Sequence, residues 1–419
     1  MRRKMSKEYG IDLRSRSDAQ IAEVVIYQEV SRLRSKPPAK KVTIPPGTKF
    51  NYEAPDFIQF ITPRMQELFE FVKVQQFSLD EGGSPRCTAL EDYRVTLGGS
   101  EYRMGIGGLH SCEKSVSHHE DSQYILVDRD VASYYPSIVL NCRLFPKHLG
   151  EEFLSVYGDI VKRRLDAKHS GDKVTADALK ITINGSFGKF GSKWSCLYSP
   201  RLLVQVTVTG QLALLMLIEQ LEEAGIHVVS ANTDGIVIKC PRKDVPTMND
   251  IIWVWESVSG FETEETQYLS LYSRDVNSYV AVKRDGKVKT KGVLAETSLM
   301  KSPASEIVAE AVIAAVGSPE PLITIGEMIR GCTDIRKFLT VRTVKAGAVT
   351  ESGDFVGKAV RWYYSTGMLG SLRYKKNGNR VGSSEGAMPC MVLPKTLPDD
   401  IDFDVYINQA NNILNQIGA

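Results

Sequence analysis

Residues 226–240, IHVVSANTDGIVIKC, constrain the fold more than any other segment: two short apolar, β-branched runs flank a polar turn, the pattern of an antiparallel β-hairpin. A second apolar run, YILV at 124–127, reads as a buried strand and leads into the acidic, proline-bearing DRDVASYYPS. Each run delivers an aspartate, Asp130 or Asp234, to a turn at a strand end, where a rigid sheet fixes side chains. Two carboxylates from separate segments suit a pair of hard cations, about 3.5–4 Å apart in two-metal sites, because the oxygen ligands must converge. Taken singly, each is equally an ordinary turn aspartate.

The stretch between them adds cations. Helical patterns over 153–169 and 176–187, separated by SGD at 170–172, predict a helical hairpin. Lys180, Asn184 and Phe187 fall at i, i+4 and i+7 on its second helix, and Arg164 and Lys168 at i, i+4 on its first. Three cations beside two metal-binding carboxylates form a candidate triphosphate clamp, the alternative being an ordinary solvated basic helix.

Further helices are predicted over 18–34, 61–73 and 209–224, the last closed by Gly225. A hairpin around 93–102 leads into the glycine-rich IGGLHS at 106–111. A second hairpin over 279–292 turns at Asp285-Gly286 and alternates Lys287, Lys289 and Lys291 along one face, suited to a phosphate backbone. Residues 293–419 read as mixed helices around a loop-rich, Gly- and Ser-rich middle near 365–387.

At 419 residues the chain exceeds what one core usually serves, so at least two lobes are expected. No basic head precedes an apolar run at the N-terminus, and apolar windows such as 212–218 are short for a bilayer, so a soluble, cytoplasmic protein with no membrane partner is expected. Seven scattered cysteines without a CxxC pair point to reduced thiols and no zinc ribbon. His110, Cys112, His118 and His119 fit no zinc spacing and read as a surface loop, and no GxxxxGK[ST] phosphate loop is present. The net charge of +2 conceals twelve Lys/Arg against five Asp/Glu in the first fifty residues, a segment that could track phosphates or simply be solvated.

Three runs resemble family B DNA polymerases. Residues 130–138, DVASYYPSI, resemble motif A (DxxSLYPSI); residues 180–188, KITINGSFG, resemble motif B (KxxxNSxYG); residues 232–235, NTDG, resemble motif C (DTDS), all in the family's order. The similarity covers roughly residues 100–300, and the ending DFDVYINQANNIL resembles the tail of phage-type members. The resemblance implies an α/β (α+β) right-hand fold: an N-terminal DNA-facing region over 1–120, an antiparallel-sheet palm over 121–150 and 191–292, helical fingers over 151–190 and a thumb over 293–419.

It further implies a DNA-directed DNA polymerase in which Asp130 and Asp234, helped by the backbone carbonyl of Val131, hold two Mg²⁺ ions, with Mn²⁺ as a possible substitute. Ser133, Tyr134 and Tyr135 would lie at the incoming dNTP, Tyr135 packing under its sugar and excluding a 2′-hydroxyl. Arg164, Lys168 and Lys180 match the triphosphate-binding cations, and Asn184 and Phe187 the base-pair pocket. Gly107, Gly108, Thr207, Gln211, Thr233 and Tyr279 fall in elements that contact primer–template DNA in the family, with Lys289 or Lys291 of the basic hairpin face placed to contact DNA in place of missing cations.

Departures are Asn232 for the first Asp of motif C, Phe187 for a Tyr, Gln211 for the Arg of TxxGR and Asn277 for the Lys of KxY. The last two remove primer-strand cations. Residues 1–120 show no exonuclease carboxylate motifs, so proofreading is expected to be absent here, or supplied by a separate exonuclease chain alongside any processivity factor. The 50- and 54-residue gaps between the motif residues leave little room for protein-priming insertions, favouring a nucleic-acid primer. Competing expectations are a catalytically silent DNA-binding replisome subunit on a polymerase scaffold, and a palm polymerase that copies or makes RNA.

Overall fold

The computed structural model describes residues 2–295, 302–368 and 370–418, with the side chain of Asn184 left out. The chain forms two compact units, each discontinuous in sequence: residues 1–112 with 121–266, and residues 113–120 with 267–419. Antiparallel sheet and helix mix in both, as an α+β right-hand fold requires.

The first unit is built around the helix Pro200–Glu223, buried on every side from Val204 to Glu219. Its sequence VQVTVTGQLALLMLI carries β-branched residues that lower intrinsic helicity, but burial all round outweighs propensity. By length and composition this helix could cross a bilayer, which the short-window reading missed; 94% of its apolar window is buried within the fold. Glu219 is one of several polar side chains in it that are interior. Glu219 accepts from Ile61 N (2.9 Å), Thr62 N (2.8 Å) and Thr62 Oγ1 (2.6 Å), and so fixes the start of the helix Pro63–Val74.

Against the core helix lies a sheet in which Tyr124–Val131 neighbours the first residues of Thr263–Asp275 on one side and Gly235–Pro241 on the other. The order continues through His227–Asn232, His110–Ser111, Ser100–Arg103 and Arg94–Leu97. The two hairpins predicted in this unit form, at 94–103 and 227–241. His110 is therefore a strand residue and not part of a surface loop, and His118 and His119 also lie in a strand, Val116–His119.

The helical hairpin is Glu152–His169 and Lys173–Phe190, capped at its second helix by Asp172. The helix Asp18–Leu33 packs across it, with Gly185 so close that a Cβ there would stand 3.0 Å from Ala19 Cα and 3.1 Å from Asp18 O. Ion pairs Lys4–Asp172, Arg163–Glu8 and Lys189–Glu23 continue the contact. The region read as DNA-facing thus contributes a third helix to this helical bundle, and part of its basic excess is engaged internally.

In the second unit, Val116–His119 and Ser278–Lys283 flank the 270–275 part of Thr263–Asp275, and Val288–Thr290 pairs with Ser278–Lys283, all antiparallel. A five-stranded antiparallel sheet orders Arg380–Glu385, Ser371–Tyr374, Thr340–Val349, Phe355–Tyr364 and Ala387–Pro389. The stretch read as loop-rich therefore holds two strands, 371–374 and 380–385. The C-terminal helix Phe403–Gln416 closes this core through Tyr406, whose hydroxyl receives Tyr364 N (2.8 Å) and donates to Phe338 O (2.9 Å). Residues 267–292, read as palm, belong to this unit.

Candidate active site

The two aspartates meet through backbone pairing. Asp130 stands directly opposite Gly235 in the ladder, and Val131 N donates to Asp234 O at 2.7 Å, so both carboxylates are carried at one end of one strand pair. Gly235 leaves the space that Asp130 uses: a Cβ there would lie 2.3 Å from Asp130 Oδ1 and 3.1 Å from Arg129 O. The family's serine at this position would need a different Asp130 rotamer. Gly235 is a site residue that motif matching passed over, although its replacement of serine in NTDG was visible.

The turn that presents Asp234 is strained and over-determined. Thr233 adopts φ +63°, rare for a β-branched residue, and Asp234 N donates to Asn232 O at 2.7 Å, closing a three-residue turn. Thr233 N donates to Leu109 O (2.8 Å), and Gly108 packs so tightly that a Cβ would stand 2.9 Å from Thr233 Cα. Thr233 Oγ1 lies 3.4 Å from His110 Nε2, placing a histidine beside the aspartate turn. Gly108 thus supports the turn, whereas Gly107 is exposed, with open space where a Cβ would go. Strain held this firmly collects at functional sites.

Around Asp130 the motif residues divide. Ser133, itself left-handed at φ +52°, receives a hydrogen bond from Arg164. Tyr135 is half-buried with its ring 4.3 Å from that of Phe187, which sits 6.2 Å from Phe190. Burial, and then the nearby Asp234 charge, push the Tyr135 phenol up to about 12, so it stays neutral through the physiological range. Tyr134 is instead interior, its hydroxyl donating to Gly210 O at 2.6 Å, and burial raises its pKa well above the ordinary value. It anchors the strand to the core helix and offers no surface to a nucleotide. Gly210 makes this possible, since a Cβ there would press on Tyr134 (3.2 Å), Ile138 (3.3 Å) and Tyr135 (3.5 Å).

Thr207 and Gln211 also move inside, each 1% exposed. Gln211 Nε2 donates to Gly105 O (2.9 Å), Gly107 O (2.8 Å) and Thr207 O (3.2 Å), and its Oε1 accepts from Gly105 N (3.0 Å). It ties the glycine-rich loop to the core helix, and Thr207 bonds the Leu203 carbonyl of its own helix. Neither faces solvent, so direct DNA contact by either is replaced by loop positioning.

On the helical hairpin, Lys168 pairs with Glu264 at 2.5 Å, while Lys180 is exposed without an ion-pair partner among the described residues. The side chain of Asn184 lies outside the described residues. Tyr279, Lys289 and Lys291 belong to the second unit, where Lys291 N donates to Tyr279 O (3.0 Å) and Lys289 sits 6.0 Å from the Tyr268 ring.

No family model matches the chain. It is 32% identical over 170 residues to DNA polymerase 1 of Aeropyrum pernix, covering 38% of this chain and 17% of that protein. It is 30% identical over 122 residues to DNA polymerase 1 of Saccharolobus solfataricus, covering 29% and 14%. The fold is similar to that of the family B DNA polymerase of Pyrobaculum calidifontis at a TM-score of 0.53 and 14% identity, over 99% of this chain and 53% of that one. The chain thus spans about half of the solved relative, and the matched stretches are less than a fifth of these two curated ones.

Proposed function

We propose that this chain, related in sequence and fold to the family B DNA polymerases, is a template-directed DNA polymerase adding dNTPs to a primer 3′-hydroxyl, with two Mg²⁺ ions held by Asp130, Asp234 and the Val131 carbonyl. The observation that carries the reading is the Asp130–Gly235 pairing beside Asp234, which joins the motif A and motif C aspartates on one strand pair. The donors suit the ions. Carboxylate and carbonyl oxygens are what a hard divalent cation takes.

When bound, the ions would activate the primer hydroxyl and neutralise charge on the phosphates. The chain's own groups do the rest. Arg164, Lys168 and Lys180 bind the triphosphate, with the planar Arg164 guanidinium suited to bidentate contact. Tyr135, backed by Phe187, carries the sugar of the incoming nucleotide, and Ser133 orients Arg164. Gly107, Gly108 and Thr233 contact primer–template DNA, and Tyr279, Lys289 and Lys291 give the second unit, taken by itself, a DNA-binding strand face.

The test is single-nucleotide extension of a primed DNA template by the purified chain. Asp130→Asn and Asp234→Asn are expected to lower the rate at least about a hundredfold, since each removes metal-held charge stabilisation of several kcal/mol. A 3′-mismatched primer in the same assay is expected to remain uncut. Full activity in either variant overturns the assignment.

A further inference from the structure

The three cations proposed to hold the triphosphate are not equally available. Arg164 and Lys168 lie one turn apart on one face of Glu152–His169, and each already has an acceptor, one just past the end of the Asp130 strand and one at the start of the neighbouring strand. Arg164 donates to Ser133 Oγ, and Lys168 Nζ reaches Glu264 Oε1 at 2.5 Å. Lys180, on the second helix, is exposed and has no such partner among the described residues.

Glu264 is not a wandering surface carboxylate. Its segment is fixed beside motif A by the bond from Ala132 N to Glu262 O (2.8 Å), and the adjacent Glu265 is paired with Arg129 of the same strand as Asp130. Backbone pairing therefore holds a negative charge where Lys168 meets it. The pair itself is open to water, with side chains 49% and 60% exposed, so it is weak and exchangeable.

Resting on the polymerase reading, we infer that Glu264 is an affinity-setting residue of the nucleotide site: a built-in anion that competes with the triphosphate for Lys168. Lys180 meets the incoming phosphates first, and Lys168 joins only as Glu264 gives it up. Glu264 thus raises the nucleotide concentration at which the site fills, without contributing to the chemical step. An exposed pair of this kind contributes about 0.2–1 kcal/mol, which corresponds to a change of up to about fivefold in affinity.

The experiment uses the full chain as wild type, Glu264→Gln, Lys168→Ala and the double variant, bound to primer–template DNA. Equilibrium binding of a fluorescent dNTP to the complex with a dideoxy-ended primer gives affinity, and single-nucleotide extension gives KM and kcat. Glu264→Gln is expected to tighten dNTP binding about two- to fivefold at low salt, the change falling on KM and not kcat. The gain shrinks as salt screens the pair, and it vanishes in the Lys168→Ala background. Unchanged or weakened binding in Glu264→Gln, or an equal gain without Lys168, overturns the inference. A wild-type chain that does not extend primers overturns the catalytic reading, while the affinity comparison still decides the role of Glu264.

Discussion

Tyr135 is packed against its neighbours. Phe187 lies against its ring at 4.3 Å, Gly210 leaves room for its edge, and the neighbouring Tyr134 is fixed by its bond to Gly210 O. On the proposed polymerase reading, a ring packed this way would stand where an extra 2′-hydroxyl has to go, and so would act as a sugar gate. Tyr135→Ala opens the space, and is expected to raise ribonucleotide incorporation relative to deoxynucleotide by about tenfold or more, a pocket discrimination of roughly 1–3 kcal/mol. Competing incorporation of rNTP and dNTP on one template measures it, and an unchanged ratio removes the gate. At this scale the sequence was readable for placement: Asp130 and Asp234 do lie at one end of a strand pair. It was not readable for Tyr134, Thr207 and Gln211, because a motif supplies identity and spacing but not which way a side chain points. Gln211 faces inward since its helix is buried all round, and an amide there satisfies the carbonyls of a loop about a hundred residues away in sequence.

Among the elements, the helix Pro200–Glu223 organises the first unit, and its pattern was read nine residues too short at the start. VQVTVT has the β-branched alternation of a strand, and only tertiary burial decides for helix. The same helix hides Glu219, a carboxylate inside an apolar run, whose partners are backbone donors at Ile61 and Thr62 that no local pattern reveals. Glu219→Ala leaves those part-buried donors without their acceptor and uncouples the start of Pro63–Val74 from the core. It is expected to lower stability by about 3 kcal/mol, and Glu219→Gln, which keeps an acceptor oxygen, by less. Urea unfolding curves of the three proteins give the comparison; equal midpoints would mean that water satisfies the donors. The helical hairpin, by contrast, was legible nearly to its ends, because a polar SGD turn separates two long amphipathic patterns. What remained hidden was its third member, Asp18–Leu33, since the fit of Gly185 against Ala19 is a contact between segments over 160 residues apart.

At the scale of the whole chain, the two units interleave. Residues 113–120 leave the first unit, pair with the second and return, so a boundary drawn along the sequence at 292/293 cannot separate them. Linear reading finds linkers, whereas here the excursion is a strand, Val116–His119, that local sequence marks only by a few polar and histidine residues. This strand covers the edge of 270–273, with His119 against the Tyr272 ring at 5.2 Å, and C-terminal Gly418 comes so close that a Cβ would stand 3.1 Å from Val116 C. A fragment of residues 267–419 alone would therefore expose a row of unpaired backbone groups along 270–273, a template for pairing with other chains. It is expected to self-associate. Since Glu120 N already bonds Leu269 O at 2.9 Å, residues 113–120 can be joined in front of residue 267 through a short Gly/Ser turn that closes the natural antiparallel pair. That fusion is expected to run as a monomer in size-exclusion chromatography with light scattering at concentrations where the bare fragment forms larger species. Equal behaviour of the two would mean that the 116–119 strand is dispensable to the second unit's fold.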